Sequence, residues 1–144
     1  MSLNTRVLFI VLLLFANTVA TAAQLDASNA SLSVPAAGNT PLLDLDVRGV
    51  ERIYVQVTPT TNGFDAFTIA IKPQANGAYS TIASVAADYT SPSGLLVGAS
   101  GDLTTLAAAT TGWFILDVRG IFMVRVQASG SGGASTVSIY AGGF

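Results

Sequence analysis

The chain has 144 residues, of which 51% are hydrophobic, with six basic and eight acidic side chains and neither histidine nor cysteine. This length suits one domain with its own apolar core, and the missing residue types exclude disulfides, thiol chemistry and histidine-based acid–base or zinc sites. Only 10% of the residues are charged, where soluble domains carry about 25%, and a net charge of −2 without a basic cluster argues against nucleic-acid binding.

Residues 1–24 form a separate apolar segment. Arg6 precedes an unbroken apolar run over residues 7–16, and small residues follow at Ala20-Thr21-Ala22. Three interpretations stay open: a secretory signal peptide, a membrane anchor that also uses residues 17–23, and a retained arm that contacts a partner. Residues 25–144 are expected to form a single β-sandwich domain.

From Ser31 onward, apolar and polar residues alternate with a period of two, which predicts strands rather than helices. Turn signals separate the runs, so we expect eight or nine short strands in an all-β fold, an antiparallel β-sandwich of jelly-roll type. The inward-facing sets are Leu43, Leu45 and Val47; Ile53, Val55 and Val57; Phe67, Ile69 and Ile71; Phe114, Leu116 and Val118; Val124, Val126 and Ala128; and Val137, Ile139 and Ala141.

Two further segments carry local signals. Residues 67–82 predict a hairpin, in which Asn76-Gly77 suits the positive φ values of a tight turn and Pro73 marks an edge or a bulge. Residues 86–112 are rich in Ala, Thr, Ser and Gly, and within them residues 95–97 and 103–106 are candidates for short strands or for parts of a long excursion.

One sequence unit occurs twice. LDVRGVERIYVQV, residues 45–57, and LDVRGIFMVRVQA, residues 116–128, are identical at seven of thirteen positions. Each reads as a β-corner: a short strand, a sharp turn at Arg-Gly and a longer strand, with Gly49 and Gly120 supplying the positive φ. Two copies 71 residues apart do not suit a solenoid, so we predict two equivalent corners related by approximate internal symmetry.

The corner units also carry four of the six basic residues. Two interpretations of their charges stay open. In the first, the charges form exposed ion pairs on one strand face, each worth about 0–1 kcal/mol. In the second, they pair across a subunit boundary, where the planar fork of arginine binds a carboxylate with two hydrogen bonds. The predicted interface residues are Asp46, Arg48, Arg52, Asp117, Arg119 and Arg125.

No catalytic, cofactor or metal site is predicted. The aspartates at positions 44, 65, 88 and 102 lack the D-x-D-x-D-G spacing of a calcium loop. Glu51 is the only glutamate, and no spacing singles out a second carboxylate for a glycosidase pair. Five aromatic residues suggest either a sugar-stacking platform or, as we favour for Trp113, core or interface packing; they are Tyr54, Tyr79, Tyr89, Trp113 and Tyr140.

At the corner units the chain resembles a broad class of bacteriophage virion β-sandwich proteins. The shared pattern is a strand L-D-V-x-G leading into V-x-V-Q, with a final strand, here residues 134–141, after a Gly/Ser loop; it covers about residues 41–143. The resemblance implies head decoration (cement) proteins or tail and fibre components, often trimeric and without catalytic activity. The apolar N-terminus departs from this pattern.

We therefore expect a non-enzymatic virion structural protein that binds copies of itself, with a trimer favoured, and the major capsid or tail protein of a virion. A weakly charged surface fits this role, because neighbouring molecules would cover much of it. The alternative is an exported adhesion or carbohydrate-binding sandwich with a cleaved signal peptide, located outside the cell or at its surface. A membrane contact is expected only through residues 1–24.

Overall fold

The computed structural model describes residues 25–36, 38–84 and 95–144. The predicted N-terminal segment and Tyr89 lie outside these residues. No helix in the described part of the chain is long and apolar enough to span a bilayer. The described residues form the strands β1 (Asp26–Val34), β2 (Thr40–Asp46), β3 (Arg52–Pro59), β4 (Phe64–Lys72), β5 (Ser80–Ser84), β6 (Leu96–Ser100), β7 (Gly112–Asp117), β8 (Met123–Gly130) and β9 (Ser135–Gly143), with a 3-10 turn over Leu103–Thr105.

The strands form two sheets that pack face to face. Sheet A has the order β1-β9-β3-β7-β6, and sheet B has the order β2-β8-β4-β5. Every neighbouring pair is antiparallel. The prediction of an antiparallel β-sandwich is confirmed. The jelly-roll subtype stays a prediction, favoured by the way successive strands from β1 to β4 alternate between the two sheets.

The core lies between the sheets and contains the inward-facing residues of the period-two pattern. Most are fully buried, while Leu43 and Ile71 pack at its margin. Phe67 of sheet B and Phe114 of sheet A meet edge to face, with ring centroids 6.0 Å apart. Residues 103–106, predicted as a short strand or as part of a long excursion, form no strand: Leu103–Thr105 is the 3-10 turn, and Leu103 and Leu106 close one end of the core.

Both repeated units are corners that pass from one sheet to the other. The first leads from β2 in sheet B to β3 in sheet A, and the second leads from β7 in sheet A to β8 in sheet B. Gly49 has φ of 79° and Gly120 has φ of 77°, conformations that cost a residue with a Cβ atom about 1–2 kcal/mol. The positive φ predicted from sequence is therefore found at both corners.

The two corners also bind each other in equivalent ways. The amide of Val47 donates to the carbonyl of Phe122 at 3.2 Å, and the amide of Val118 donates to the carbonyl of Glu51 at 2.8 Å. The two bonds are equivalent, because at the repeat offset of 71 residues Val47 corresponds to Val118 and Glu51 corresponds to Phe122. The same correspondence relates the strand pairs Leu45↔Val124 and Leu116↔Ile53, and Asp46↔Met123 and Asp117↔Arg52. The repeat thus encodes one interlocked pair of corners at one end of the sandwich.

The predicted hairpin forms between β4 and β5, but its turn differs from the expected one. The connection spans residues 73–79, and the amide of Gly77 donates to the carbonyl of Gln74 at 3.0 Å. Neither Asn76 nor Gly77 has a positive φ. Pro73 directly follows β4 and has no amide hydrogen to continue the strand pairing, so the chain makes a wider loop than the tight turn predicted.

Candidate interaction surfaces

The two corners bring charged side chains together at one end of the sandwich, which we name the corner end (residues 46–52 and 117–123). In each corner an arginine pairs with the aspartate two residues earlier. The Nε atom of Arg48 lies 2.9 Å from Oδ1 of Asp46, and the Nε atom of Arg119 lies 3.0 Å from Oδ1 of Asp117. The backbone amide of each arginine also donates to the same carboxylate, at 3.2 Å.

These contacts shift the titration of both aspartates in the same direction. The hydrogen bond from the Arg48 side chain lowers the pKa of Asp46, and the hydrogen bond from the Arg119 side chain lowers the pKa of Asp117. The carboxylates raise the pKa of their arginine partners in return. Both arginine side chains remain largely exposed, at 63% and 67%, so their remaining N–H groups face the surface.

The corners differ in the residues that flank the ion pairs. Arg52 pairs in register with Asp117, and its charge further lowers the pKa of that aspartate. At the equivalent place beside Asp46 stands Met123. The Asp117 side chain is 15% exposed, against 47% for Asp46. The guanidinium of Arg48 lies over the ring of Phe122, 4.7 Å from its centroid.

The outer face of sheet B is occupied by a compact ionic cluster. Arg125 donates to both carboxylate oxygens of Asp44 across the β2–β8 pair, at 2.7 Å each. The same guanidinium lies over the ring of Tyr79, 4.0 Å from its centroid. Burial raises the pKa of Tyr79, and the charge of Asp44 adds to that shift. Beneath this cluster Ala70, although on the outer face, is only 2% exposed.

The outer face of sheet A carries aromatic and amide side chains instead. Gln56 of β3 pairs in register with Trp113 of β7 on one side and with Tyr140 of β9 on the other. Tyr54 packs against Trp113, with ring centroids 6.0 Å apart and planes inclined by 30°, and donates from its hydroxyl to Oε1 of Gln56 at 3.2 Å. We name Tyr54, Gln56, Trp113 and Tyr140 the aromatic row.

Two rings of the aromatic row lie over glycines. A Cβ atom placed on Gly98 of β6 would lie 3.5 Å from the Trp113 ring, and one on Gly142 would lie 3.2 Å from the Tyr140 hydroxyl. Glycine leaves no side chain beneath either ring, so each ring can approach the backbone of the sheet. Tyr140 is 45% exposed. Trp113 therefore lies on the outer face of sheet A. Of the two locations that we predicted for it, the core and an interface, the core is wrong.

The structure groups the sequence-predicted interface residues in two places. Four of them form the two corner ion pairs within one chain, Arg52 flanks one pair, and Arg125 belongs to the sheet B cluster. That they contact another subunit stays a prediction. Sequence reasoning missed the partners Asp44, Tyr79 and Phe122, because only the strand register and the β4–β5 loop bring them to the arginines. In the described part of the chain no three carboxylates lie close enough to hold a metal ion.

No protein-family model matches the chain, and no curated protein matches it. Among solved structures it is similar to the SPBc2 prophage-derived protein YomS, with a TM-score of 0.49 and 15% identity, covering 88% of this chain and 99% of that chain. It is also similar to a chain from infectious bursal disease virus, Gx strain, with a TM-score of 0.40 and 15% identity, covering 83% of this chain and 32% of that chain. Similarity at this level assigns the chain to no family and to no function.

Proposed function

We propose that the protein is a non-enzymatic structural component of a bacteriophage virion, a head decoration (cement) protein that binds copies of itself and the major capsid protein. A tail or fibre component is the alternative place within the same class. The observation that carries the proposal is the distribution of charge over the residues that the structure describes: their basic side chains lie at the corner end or close to it, and most of the other described residues are uncharged.

The distribution of charge along the sandwich supports this role. Every basic residue of the described part lies at the corner end or within a few residues of it: Arg48, Arg52, Lys72, Arg119 and Arg125. The opposite end is formed by the loops 60–63, 101–111 and 131–134, in which Asp102 is the single charged residue. Small uncharged residues allow close packing of a neighbouring molecule without desolvation of charge.

The corner arginines are suited to hold such a neighbour. Arg48 uses its Nε and one Nη atom on Asp46, and Arg119 uses the same atoms on Asp117. A guanidinium carries five N–H donors, so each exposed fork retains donors for a carboxylate on another subunit. The ion pair within the chain fixes the fork in place, which lowers the entropic cost of such a contact.

The resemblance of the corner units to phage virion β-sandwich proteins gives the proposal its biological setting. The absence of histidine and cysteine from the sequence, together with a lone glutamate, leaves few groups for acid–base or nucleophilic chemistry. We therefore propose a virion location for the protein.

Native mass spectrometry of the full chain tests the self-association. We expect a homo-oligomer, with a trimer favoured, built from 14.7 kDa subunits. The double variant Arg48→Ala/Arg119→Ala should shift the oligomer to monomers while the thermal unfolding midpoint changes little, because both side chains are exposed. Lys72→Ala is the matched control, since it removes a cation at the same end outside the corner turns. A monomer at all concentrations would refute the proposed assembly.

Association with particles is tested separately. Quantitative mass spectrometry of gradient-purified particles from the source of the sequence should find the chain in a fixed ratio to the major capsid or tail protein. Recovery of the chain only in the particle-free fraction would refute the virion role.

A further inference from the structure

We infer that the aromatic row on the outer face of sheet A binds a neutral, linear oligosaccharide. This inference goes beyond the assembly role and does not rest on it, because the row lies on the open face of sheet A and the proposed contacts with neighbouring molecules lie at the two ends of the sandwich. Its basis is the combination of three aromatic rings on the outer face, of which Tyr140 is exposed and Tyr54 and Trp113 are half-buried, an oriented amide, and the absence of charge from the row.

The rings are presented in the way that sugar stacking requires. An aromatic ring has a negative face, and the axial C–H groups of a pyranose, polarised by the neighbouring oxygens, pack against such a face. Because Trp113 and Tyr140 each lie over a glycine of the sheet, they are placed to turn a ring face toward solvent. The exposed large hydrophobic residues of the described chain all belong to sheet A or to its end: Val97, Tyr140 and Phe144.

A hydrogen-bonding group stands between the two rings. The hydroxyl of Tyr54 donates to Oε1 of Gln56, which orients the amide so that its Nε2 group remains available as a donor to a sugar hydroxyl. Beside the row, the hydroxyls of Thr58 and Thr111 bond each other at 2.8 Å, and Ser138 is exposed. Amide and hydroxyl groups that flank aromatic rings match the alternating apolar and hydroxylated surface of a sugar.

The charges nearby select an uncharged ligand. The aromatic row contains no ionisable group that is charged at neutral pH. The charged residues of sheet A, Asp26, Arg52 and Asp117, all lie at the strand ends near the corner end. Arg52 shares the outer face with Tyr54, two residues away, and pairs in register with Asp117. An acidic polysaccharide or a phosphate-bearing ligand would need cations along the row, and the described residues place none beside Gln56, Trp113 and Tyr140.

The spacing of the rings indicates an oligosaccharide rather than a single sugar. Tyr140 and Trp113 flank β3 from both sides in the same register row, and neighbouring strands lie about 4.8 Å apart, so their backbones are separated by roughly twice that distance. One pyranose is too short to cover both rings. A linear chain of several sugars that crosses β3 would contact Tyr140, Gln56 and Trp113 in turn.

The single tryptophan makes the binding directly measurable. Trp113 is the only tryptophan of the chain, so its emission reports contact with the row. The full-length protein is titrated with linear hexasaccharides of glucose, xylose, mannose and galactose, with the four monosaccharides, and with an acidic heparin hexasaccharide. We expect a saturable emission change with at least one neutral hexasaccharide, much weaker binding of its monosaccharide, and none of the acidic probe.

Substitutions assign the binding to the row. Tyr140→Ala should weaken binding about tenfold, equivalent to about 1.4 kcal/mol, whereas Tyr140→Phe should retain most of it because the ring remains. Trp113→Ala should abolish binding. Because this substitution removes the fluorescent reporter, its binding is measured by isothermal titration calorimetry. Tyr79→Phe on sheet B is the matched control and should bind as the parent does. Circular dichroism and the unfolding midpoint of each variant establish that it is folded.

Three results would overturn the inference. The first is the absence of a saturable change with every neutral hexasaccharide up to millimolar concentration. The second is unchanged affinity in folded Tyr140→Ala. The third is a combination of two findings: no sugar binds, and sedimentation shows that Tyr140→Ala converts an oligomer to monomers. The row would then be a contact between copies of the chain.

Discussion

The two outer faces of the sandwich are built on equivalent strands but present opposite chemistry. On sheet B, Asp44 and Arg125 face each other across β2 and β8, and the Tyr79 ring packs against that arginine. The repeat relates this pair to Ile115 and Tyr54, which face each other across β7 and β3 on sheet A. An ion pair on one face thus corresponds to an apolar–aromatic pair on the other.

This difference shows that the repeat specifies the fold and leaves the surface free to vary. Inward-facing positions stay apolar in both copies, as Leu45 and Leu116 do, and both turns keep their glycine. Outward-facing positions diverge because the packing between the sheets does not constrain them. Sheet B satisfies its ionic groups within the chain, whereas sheet A leaves its aromatic row open to a ligand.

The largest expected effect comes from the core that both faces share. Phe67 is fully buried and contacts Phe114 of the opposite sheet, so Phe67→Ala should destabilise the protein by about 3–5 kcal/mol. Urea unfolding followed by Trp113 emission and by far-UV circular dichroism should give coincident transitions. Phe144→Ala, at a side chain that is 61% exposed, is the control and should cost less than about 0.5 kcal/mol. Separate transitions would mean that the faces unfold independently.

The equivalence of the two corners is tested by their glycines. Gly49→Ala and Gly120→Ala each place a Cβ atom at positive φ, and each should cost about 1–2 kcal/mol. Because the turns are equivalent in conformation and hydrogen bonding, the two losses should agree with each other. Denaturant unfolding of the two variants measures both. A large cost at one corner only would break the proposed equivalence.

A paired substitution compares the two outer faces directly. Arg125→Ala removes a two-bond ion pair and a cation–π contact from sheet B and should destabilise the protein by about 1 kcal/mol, since the site is partly exposed. The stability of Arg125→Lys should lie between that of Arg125→Ala and that of the parent protein. Tyr140→Ala on sheet A should change stability by less than about 0.5 kcal/mol. Equal losses on both faces, measured by thermal unfolding, would contradict the contrast between them.

The smallest expected effect concerns pH. The pKa values of Asp46 and Asp117 are lowered by their arginines, so the stabilisation from these pairs is present above the unfolded pKa of about 3.9. It is lost as the pH falls through the lower folded values. Arg52→Ala should raise the pKa of Asp117 and leave that of Asp46 unchanged, because only Asp117 has this second cation. Carbon-detected NMR titration of the carboxyl groups measures both, and equal shifts would refute the assignment.

The sequence by itself determined the fold class, the core and the corners. A strand places alternate side chains on opposite faces, so the period-two pattern alone identifies the inward residues, for example Ile53 and Val55. A glycine inside a repeated L-D-V-R-G unit marks a turn that needs positive φ, because other residues avoid that conformation. These features depend on local geometry, which the residues encode directly.

Only the tertiary structure decided which side chains meet on the surface. The partner of Arg125 is Asp44, 81 residues away, and strand register between distant segments places them together. Alternation with the inward-facing Phe114 already places Trp113 on the outer face of β7, but only the pairing of β7 with β3 brings Trp113 beside Tyr54. The tight turn expected at Asn76-Gly77 gave way to a wider loop beginning at Pro73, which brings Tyr79 to Arg125. Long-range pairing is set by the packing of the whole sandwich, and no short window of sequence contains it.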